Sequence, residues 1–410
     1  MTSGTTTSGT MSAHTNLGGA RVLVVGGGPA GLAAAGVLAR GGVDVTVLEA
    51  TTYPRSRICG EYLSPDAEAA LVALGVEGLP DALDAPRLTG IRATASQDGE
   101  VRADIRSELP APGRGVSRFD LDGRLADAVR ESGVEIQESA RVVGVAGNDA
   151  CVSVSTAKTS LRGDALIVAT GRLARPRGVD VGRAIESRPR RRWVAVKLHV
   201  RGPALPGLTE LHFIEGAYVG LNEVRCGGER RVNVCALASE TTWAAAGRTP
   251  DGLLEYIAAQ SPPFARRWWL SVPSDASRLS AAGFGFDRRP VPTEGPRPAL
   301  VCGDAAALIA PLAGDGQAMA LAAGVSAARA LLAARAGNGT LSAAAVRAAA
   351  IAHAAGFRRE MRVRLAAGRA LQAALLHPRA AVALLRTVGY VQGAPAWLYR
   401  LTRGPLPPTQ

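Results

Sequence analysis

The chain has 410 residues, of which 47% are hydrophobic, so it can bury a large core. At roughly 150 residues per domain, its length predicts two or three domains. Its 47 Lys and Arg against 35 Asp and Glu give a net charge of +12, but nearly all of the positive charge is arginine, and no lysine-rich run predicts a nucleic acid partner. Five scattered cysteines and five dispersed histidines fit neither a disulfide framework nor a metal site, and no uninterrupted apolar stretch approaches the length of a membrane span.

Residues 1–18 are rich in Thr, Ser and Gly and lack an apolar core. This composition predicts a disordered leader rather than a signal peptide. Because the cysteines also show no disulfide spacing, we expect a soluble protein in a reducing, cytoplasmic setting.

A β-α-β unit follows the leader. Residues 21–25 predict a strand, residues 32–40 an alanine-rich helix, and residues 43–48 a second strand that ends at Glu49. The turn between them has the pattern G-x-G-x-x-G, whose glycines allow a tight turn, a close backbone approach to a pyrophosphate, and close packing of the helix on the sheet. Glu49 lies 18 residues after the last glycine, where a carboxylate can accept hydrogen bonds from ribose hydroxyls. The predicted dinucleotide-binding residues are Gly26, Gly28, Pro29, Ala30, Gly31 and Glu49.

Alternating helices and strands continue through the middle of the chain. Residues 64–74 predict a helix that Ser64 caps, and residues 88–95 and 100–105 predict a pair of strands. Residues 117–132 predict a further helix, and residues 166–169 predict a buried strand. Alternation with period two then predicts an antiparallel sheet with one covered face, in residues 193–200, 210–214, 218–222 and 231–237.

A second strand–loop–helix unit begins at residue 301, and helix-forming sequence continues from Gln317 almost to the end. Asp304 stands at the end of the strand, and the glycine-rich loop 311–316 opens the helix. Such an aspartate can bind a ribityl hydroxyl, and a helix N-terminus can stabilise negative charge on a reduced flavin. The pair of glycine-rich units therefore predicts FAD rather than NAD as the bound dinucleotide.

These residues resemble the single-Rossmann flavoproteins, which include the para-hydroxybenzoate-type aromatic hydroxylases and the geranylgeranyl reductases. The likeness covers roughly residues 20–330. It implies that Asp304 binds the ribityl chain, that Pro311, Gly314 and Gly316 pack against the isoalloxazine, and that Arg118 lies near the FAD phosphates. It also implies an α/β fold with a Rossmann-like FAD-binding domain, an interleaved antiparallel β-sheet substrate domain and a C-terminal helical region.

The resemblance divides the chain into four parts. Residues 1–18 are the leader, and the FAD-binding domain is discontinuous, with segments 19–82, 115–172 and 297–335. The substrate domain takes segments 83–114 and 173–296, and the C-terminal helical region takes residues 336–410. The sequence contains no second G-x-G-x-x-G unit with a following acid, so we expect no separate nicotinamide domain.

The segment Arg57-Ile58-Cys59-Gly60-Glu61-Tyr62-Leu63-Ser64-Pro65 is similar to the R/K-x-C-G-E-x-L-S-P signature of geranylgeranyl-reductase-like oxidoreductases. Arg57, Cys59 and Glu61 are therefore candidates for contact with flavin or substrate, and Arg57 is also a candidate for cofactor binding. Cys59 is either a buried packing residue or a redox thiol. Arg57 and Glu61 could pair with each other or contact the ligands.

Three family elements are missing. Thr170-Gly171-Arg172-Leu173-Ala174 replaces the D-G-x-x-S of the hydroxylases and lacks its aspartate, so their usual mode of NAD(P)H docking is in doubt. The Y-x-W-x-F-P stretch of lipid-reducing relatives and the W-x-W-x-I-P element of flavin halogenases are also absent. A polyisoprenoid substrate and halogenation are therefore not predicted.

Two reactions remain open for the predicted flavoenzyme. The first is an NAD(P)H-dependent monooxygenation that uses O2 to hydroxylate a hydrophobic aromatic or polyketide-like molecule. The alternative is a geranylgeranyl-reductase-like ene-reduction of an isolated C=C bond. A flavin-binding protein without turnover is a third interpretation, and the intact flavin-side loop argues against it.

Residues 357–403 contain nine arginines and one acid, with leucines and valines at loosely helical spacing. This pattern indicates either a helical cap packed on the body of the protein, which we favour, or a face for peripheral contact with an anionic membrane and a lipophilic substrate.

Overall fold

A computed structural model describes residues 19–172, 176–178, 192–286, 297–391 and 393–403. The predicted leader at residues 1–18, together with Leu173 and Ala174, lies outside the described residues.

Strands and helices are numbered in chain order. The strands are β1 (Arg21–Val25), β2 (Asp44–Leu48), β3 (Tyr62–Leu63), β4 (Arg87–Gln97), β5 (Glu100–Gly115), β6 (Glu135–Gln137), β7 (Val142–Gly147), β8 (Val152–Thr156), β9 (Ser160–Gly163), β10 (Ala165–Val168), β11 (Trp193–Arg201), β12 (Leu208–Ile214), β13 (Ala217–Cys226), β14 (Glu229–Ser239), β15 (Val272–Phe284) and β16 (Leu300–Val301). The α-helices are α1 (Pro29–Arg40), α2 (Glu68–Leu74), α3 (Leu79–Ala82), α4 (Arg118–Glu131), α5 (Glu240–Ala245), α6 (Pro250–Gln260), α7 (Pro262–Trp268), α8 (Gly316–Ala334), α9 (Ala343–Leu375), α10 (Pro378–Tyr390) and α11 (Ala394–Thr402).

A parallel five-stranded sheet has the order β16-β10-β1-β2-β6. β1 and β10 are buried along nearly their whole length, as is usual for a parallel sheet, and helix α1 packs on both strands. Helix α8 packs closely on α1, since a side chain at Gly324 would lie 2.1 Å from the carbonyl oxygen of Ala30. All five strands fall in segments assigned to the FAD-binding domain from the sequence, and the exact domain boundaries stay a prediction.

An eight-stranded sheet has the order β15-β11-β14-β13-β12-β4-β5-β3. Its pairs are antiparallel, as the alternation predicts, except that β12 runs parallel to β4. The outer face packs against α6 and α7, and the inner face packs against α9 and α10. The fold is therefore the predicted α/β arrangement of a Rossmann-like unit and an interleaved sheet. A smaller three-stranded sheet is formed by β7, β8 and β9.

Two details differ from the sequence-based expectations. Ser64 does not cap a helix with its side chain; a short 3-10 turn (Pro65–Ala67) precedes α2, and the Ser64 hydroxyl donates instead to Asp315. Helix α8, which has 19 residues, is the one described helix long and apolar enough to cross a membrane by composition. It packs between α1 and α9, as expected of a core helix of the nucleotide-binding unit.

Candidate cofactor and active site

The three motif glycines have different surroundings. Gly26 has φ +101°, and a Cβ there would lie 2.4 Å from the carbonyl oxygen of Ala169, while a Cβ at Gly31 would lie 1.8 Å from the carbonyl oxygen of Gly26. Any side chain at either position would collide with backbone. At Gly28 the nearest atom is an Arg118 guanidinium nitrogen at 3.9 Å, so the space in front of this residue is open. The open position lies at the N-terminus of α1, where backbone N–H groups bind phosphate.

Pro29 and Ala30 begin α1 behind this open position. Pro29 occupies the first turn, where its missing N–H leaves no unpaired donor. Ala30 is buried, with its Cβ 3.0 Å from the position that a Cβ on Gly303 would take. The first glycine-rich unit therefore packs directly on the second, which brings the two predicted halves of the cofactor site together.

Glu49 is buried at the end of β2. Its carboxylate accepts hydrogen bonds from the Gly27 N–H at 2.8 Å and from the backbone and hydroxyl of Thr51. Arg55 and Arg57 also reach it, at 3.1 and 3.4 Å. Burial alone would raise the pKa of Glu49, but Arg55 and these hydrogen bonds bring the pKa below its ordinary value. The ionised carboxylate of Glu49 is therefore a hydrogen-bond acceptor at the predicted adenosine end, beside the predicted phosphate site.

Arg118, the first residue of α4, lies against the phosphate site. Its guanidinium binds the buried carboxylate of Asp122 through two bonds of 2.7 Å, which fixes its orientation. Although burial lowers the pKa of Arg118, the ion pair with Asp122 raises it above the ordinary value, so the charge is permanent. Asp122 is four residues away on one helical face, and that spacing could have identified it from the sequence.

The predicted flavin end contains Asp304 and the loop 311–316. Asp304 follows β16, and its partly exposed carboxylate lies 3.7 Å from Arg172 Nε. Pro311 begins a 3-10 turn, and Gly314 has φ +62°, which favours glycine. A cleft beside this loop is lined by Gly303, Asp304, Ala307, Ile309, Gly316, Met319, Ala320 and Phe357. The loop and the start of α8 thus surround a space next to Asp304.

Asp315, between the two loop glycines, is buried. Its carboxylate accepts from the Ser64 hydroxyl at 2.8 Å and lies 3.3 Å from an Arg364 nitrogen. Burial raises the pKa of Asp315 to about 6, against the opposing effects of Ser64 and Arg364. No local sequence pattern indicates this contact, because Ser64 and Asp315 are 251 residues apart.

Cys59 lies at the flavin end. Its Sγ accepts from Gln317 Nε2, at the start of α8, at 3.2 Å, and its carbonyl oxygen accepts from Asn233 Nδ2 on β14. Cys59 therefore stands between the helix N-terminus that would face the flavin ring and the inner face of the eight-stranded sheet.

Glu61 and Arg57 do not contact each other. Arg57 points to the adenosine end, against Glu49 and Thr51. Glu61 is fully buried and accepts from the Arg118 N–H, while Lys197 Nζ and His199 Nε2 lie 3.1 and 2.5 Å from its oxygens. Burial alone would raise the pKa of Glu61, but His199 and Lys197 bring the pKa below its ordinary value.

The residues present fit FAD. Gly28 and Arg118 would hold the pyrophosphate, Glu49 the adenosine ribose, and Asp304 with Gly314 and Gly316 the ribityl chain and ring. Buried polar atoms without a hydrogen-bond partner among the described residues belong to two residues of this region: Arg55 (Nε and Nη1), which contacts Gly27 of the phosphate turn, and Gln317 (Oε1), which contacts Cys59 at the flavin end. Such atoms are expected where a polar ligand completes the site. No cluster of three or more metal-ligating side chains occurs within the described ranges.

The sequence did not identify Arg55, Arg172, Lys197 and Gln317, nor Asp122 and Asp315 described above. Arg55 lies next to the adenosine end, six residues after Glu49, and its Y-P-R context carries no distinct signal. Lys197 is one of only two lysines in the chain and lies in the mainly apolar strand β11, which also contains His199 and Arg201. A charged residue in such a strand was the available signal.

Comparison with known proteins places these features in a family. The FAD binding domain family matches residues 19–167. A menaquinone reductase of Mycolicibacterium smegmatis is 30% identical over 325 residues, which cover 72% of each chain. A menaquinone reductase of Mycobacterium tuberculosis is 39% identical over 128 residues, but the match spans only 30% of that protein. A 2-heptyl-3-hydroxy-4(1H)-quinolone synthase of Mycobacteroides abscessus is 35% identical over about half of each chain (51% and 53%).

Solved structures agree in fold. The flavin-dependent brominase Bmp2 matches with a TM-score of 0.70 at 18% identity, over 92% of this chain and 97% of its own. A geranylgeranyl bacteriochlorophyll reductase-like protein of Thermoplasma acidophilum also has a TM-score of 0.70 at 18% identity, over 94% and 97%. At these identities the likeness concerns the fold alone.

Proposed function

The chain belongs to the single-Rossmann FAD-dependent oxidoreductases, and from that premise we propose that it is an NAD(P)H-dependent monooxygenase acting on a lipophilic aromatic or polyketide-like small molecule. Bound FAD would supply the activation of O2 and the transfer of one oxygen atom. The chain's own residues bind the cofactor, hold the substrate and exclude water from it.

The observation that carries this proposal is the inner face of the eight-stranded sheet. One part of this face, formed by residues of β4 and β11–β14, is apolar and aromatic. Helices α9 and α10 cover this part, through residues that include Leu375 and Leu385. The buried apolar and aromatic residues of the face are Ala93, Ala95, Trp193, Ala195, Phe213, Tyr218 and Leu237. Further along the same strands, Asn233 meets the carbonyl of Cys59 at the flavin end. A lipophilic molecule bound at the border of this apolar region, near Asn233 and Cys59, would lie beside the flavin in surroundings that exclude water.

The relatives support an aromatic or quinone-like substrate. Two of them are named for menaquinone, and a third for a hydroxylated quinolone that bears an alkyl chain. All three names describe fused bicyclic ring systems, which match an inner face built from aromatic and small apolar residues.

A reductase is the second candidate, and the position of Cys59 favours it. The thiol belongs to the segment similar to that of the geranylgeranyl reductases, and it accepts a hydrogen bond from Gln317 at the start of α8. In this alternative bound FAD would supply hydride chemistry; a C=C bond of the substrate would gain one hydride and one proton from water, and no oxygen atom would enter the product.

An oxygen-isotope experiment separates the two reactions. The FAD-loaded protein is given NADH or NADPH, O2 labelled with oxygen-18, and a phenol with an alkenyl side chain, which offers both an aromatic ring and an isolated C=C bond. A product that has gained one labelled oxygen supports monooxygenation. A product that has gained two hydrogens, formed equally well without O2, would overturn monooxygenation and support the reductase.

Two leucines on opposite faces of the sheet provide a matched test of the substrate position. Leu237 lies on the inner face and Leu254 of α6 packs on the outer face, and both are fully buried. Each change to alanine should cost about 2–5 kcal/mol of stability. Only Leu237→Ala should also raise the KM for the lipophilic substrate. Equal KM values in the two variants would place the substrate elsewhere.

We further propose a cytoplasmic location with peripheral contact to an anionic membrane through α10 and α11. Tyr390 and Trp397 are 88% and 62% exposed, while Arg403 holds the end of α11 by stacking on Tyr62 and Tyr399 at 4.9 and 4.0 Å. Residues 361–410 contain no acid and seven arginines, at positions 362, 364, 369, 379, 386, 400 and 403. Interfacial aromatics with basic neighbours fit an anionic lipid surface.

Vesicle sedimentation tests this contact. The protein should sediment with vesicles of phosphatidylcholine and phosphatidylglycerol, and less with phosphatidylcholine alone. Trp397→Ala should reduce the bound fraction, whereas Trp269→Ala, which removes an equally exposed tryptophan at the end of α7, should not. Equal binding of both variants, or none by the wild type, would contradict the contact.

A further inference from the structure

A cavity of about 230 Å³ lies at one end of the eight-stranded sheet, where β11 ends and β14 begins. The residues that line it are Val200, Arg201, Gly202, Arg230, Arg231 and Val232. Val200 and Val232 are buried and form the last pair of the ladder between the two strands, so they supply the apolar part of the lining. Half of the lining residues are arginines, and none is acidic.

The arginines of this cavity retain donors for a ligand. Arg230 Nη1 lies 2.7 Å from Glu223 Oε1. Arg231 pairs with Glu229, and Arg201 Nη2 lies 4.0 Å from the same carboxylate, with its side chain 71% exposed. A guanidinium has five N–H donors, so these contacts use only part of its bonding capacity. Among the described residues, three cations thus face two carboxylates, and the excess of positive charge is open to solvent.

The cavity lies beside the predicted cofactor site. Arg231 is two residues from Asn233 on the same face of β14, a separation of about 7 Å along the strand. Asn233 donates to the carbonyl oxygen of Cys59 at the flavin end. In the turn between β13 and β14, the Gly227 N–H donates to the Asp120 carboxylate in the first turn of α4, the helix that lies against the predicted phosphate site. A ligand in the cavity would therefore lie on the same side of the protein as bound FAD.

The size and the charge of the cavity fit a phosphate group that belongs to a larger molecule. Pockets that hold a whole drug-sized ligand measure about 300–1,000 Å³, so this cavity accommodates only one part of such a ligand. Arginine recognises phosphate well because its planar donors match pairs of phosphate oxygens. A phosphate monoester carries a charge of about −1.5 to −2 at neutral pH and has three acceptor oxygens, which suits a cluster of guanidinium groups.

We propose that this cavity binds the 2′-phosphate of NADPH and thereby selects NADPH over NADH as the electron donor. The proposal rests on the function proposed above and identifies its nicotinamide co-substrate. Because the sequence has no second dinucleotide-binding unit, the donor has no domain of its own and has to bind on a surface beside FAD. With its 2′-phosphate between Arg201 and Arg231, an extended NADPH would run from the strand ends towards Cys59 and the flavin end.

The test is a calorimetric titration of the FAD-loaded protein with two adenosine ligands. Adenosine 2′,5′-bisphosphate carries the 2′-phosphate, and adenosine 5′-monophosphate lacks it. The wild type should bind the bisphosphate roughly 10- to 150-fold more tightly, as expected for one charged hydrogen bond. Arg201→Gln and Arg231→Gln should each remove most of this difference. Arg102→Gln, which removes an arginine of β5 that pairs with Glu100 outside the cavity, is the matched control and should leave the difference unchanged.

Glu229→Gln provides a test that misfolding cannot mimic. Its carboxylate competes with a phosphate for Arg201 and Arg231, so its loss should tighten the binding of the bisphosphate. In anaerobic reduction of the bound flavin, Arg201→Gln and Arg231→Gln should raise the apparent Kd for NADPH and leave that for NADH unchanged. A general structural role of the arginines would change both values.

Equal binding of the two adenosine ligands by the wild type, or equal apparent Kd values for NADPH and NADH, would overturn the proposal. Inorganic phosphate that binds as tightly as the bisphosphate would make the cavity a general phosphate site. Displacement of the bisphosphate by phosphatidylglycerol vesicles would assign the cavity to a lipid headgroup, and either result would overturn the assignment to NADPH. The titrations need no turnover, so a product without oxygen-18 would overturn the monooxygenase and leave this site standing.

Discussion

Gly28→Ala should separate cofactor binding from folding. Gly28 has φ −83° and ψ −177°, an extended conformation that any residue adopts, and the nearest atom to its new Cβ would lie 3.9 Å away. The apoprotein should therefore fold with unchanged stability. The new methyl group would occupy the open space in front of the α1 N-terminus, where the pyrophosphate is expected.

The expected loss of affinity follows from the bonds at this position. A hydrogen bond from a backbone N–H to a charged phosphate contributes about 1.5–3 kcal/mol. Displacing the phosphate from one such donor should raise the Kd for FAD roughly 10- to 150-fold. Gly31→Ala differs, because its Cβ would lie 1.8 Å from the carbonyl oxygen of Gly26, and should destabilise the apoprotein itself.

The assay is a titration of each apoprotein with FAD, read by the quenching of flavin fluorescence, together with thermal unfolding of the apoprotein. Gly356→Ala, in the interior of α9 with no atom within 4 Å of its Cβ, is the matched control: it should leave the Kd for FAD unchanged and raise the thermal midpoint slightly, because alanine favours a helix interior over glycine by about 0.5–1 kcal/mol. A Gly28→Ala protein that binds FAD like the wild type would refute the assignment of the phosphate site.

Three further predictions concern the cofactor loops and the core. Asp315→Asn should remove a pH dependence of stability, because burial raises the pKa of Asp315 from 3.8 to about 6. The stabilising contribution of the protonated carboxyl is present below the unfolded pKa and is lost as the pH rises through about 6. In urea unfolding, the wild type should therefore lose up to about 3 kcal/mol of stability relative to the variant between pH 4 and 7. Glu49→Gln and Asp304→Asn should each raise the Kd for FAD in the same titration. An unchanged Kd in both variants would contradict the assignment of Glu49 to the adenosine end and of Asp304 to the flavin end. Gly324→Ala should lower the thermal midpoint, because its Cβ would lie 2.1 Å from the Ala30 carbonyl oxygen; an unchanged midpoint would show that α8 can move away from α1 at little cost.

The sequence predicted the parts of the site that depend on short segments. Gly26, Gly31 and Glu49 belong to one β-α-β unit, in which a fixed spacing places them at one turn. The roles proposed for Asp304 and Gly314 rest on the resemblance to the single-Rossmann flavoproteins, carried by a second strand–loop–helix unit. In each case the chemistry is carried by backbone geometry within about 30 residues, which sequence patterns record well.

The parts that the sequence did not predict depend on contacts between distant segments. Glu61 meets His199 across 138 residues, and Ser64 meets Asp315 across 251. Neither pair has a periodicity, because each depends on how the eight-stranded sheet and the C-terminal helices pack on the nucleotide-binding unit. The parallel pairing of β12 with β4 is similar, since alternation along a strand does not specify the direction of its neighbour.

The position of Glu61 explains why the Cys-Gly-Glu segment does not distinguish oxygenation from reduction. Its carboxylate is buried among Lys197, His199 and the first turn of α4, and its backbone oxygen accepts from Val116 and Asn222. The glutamate therefore joins three elements around the flavin end, a role that either reaction needs.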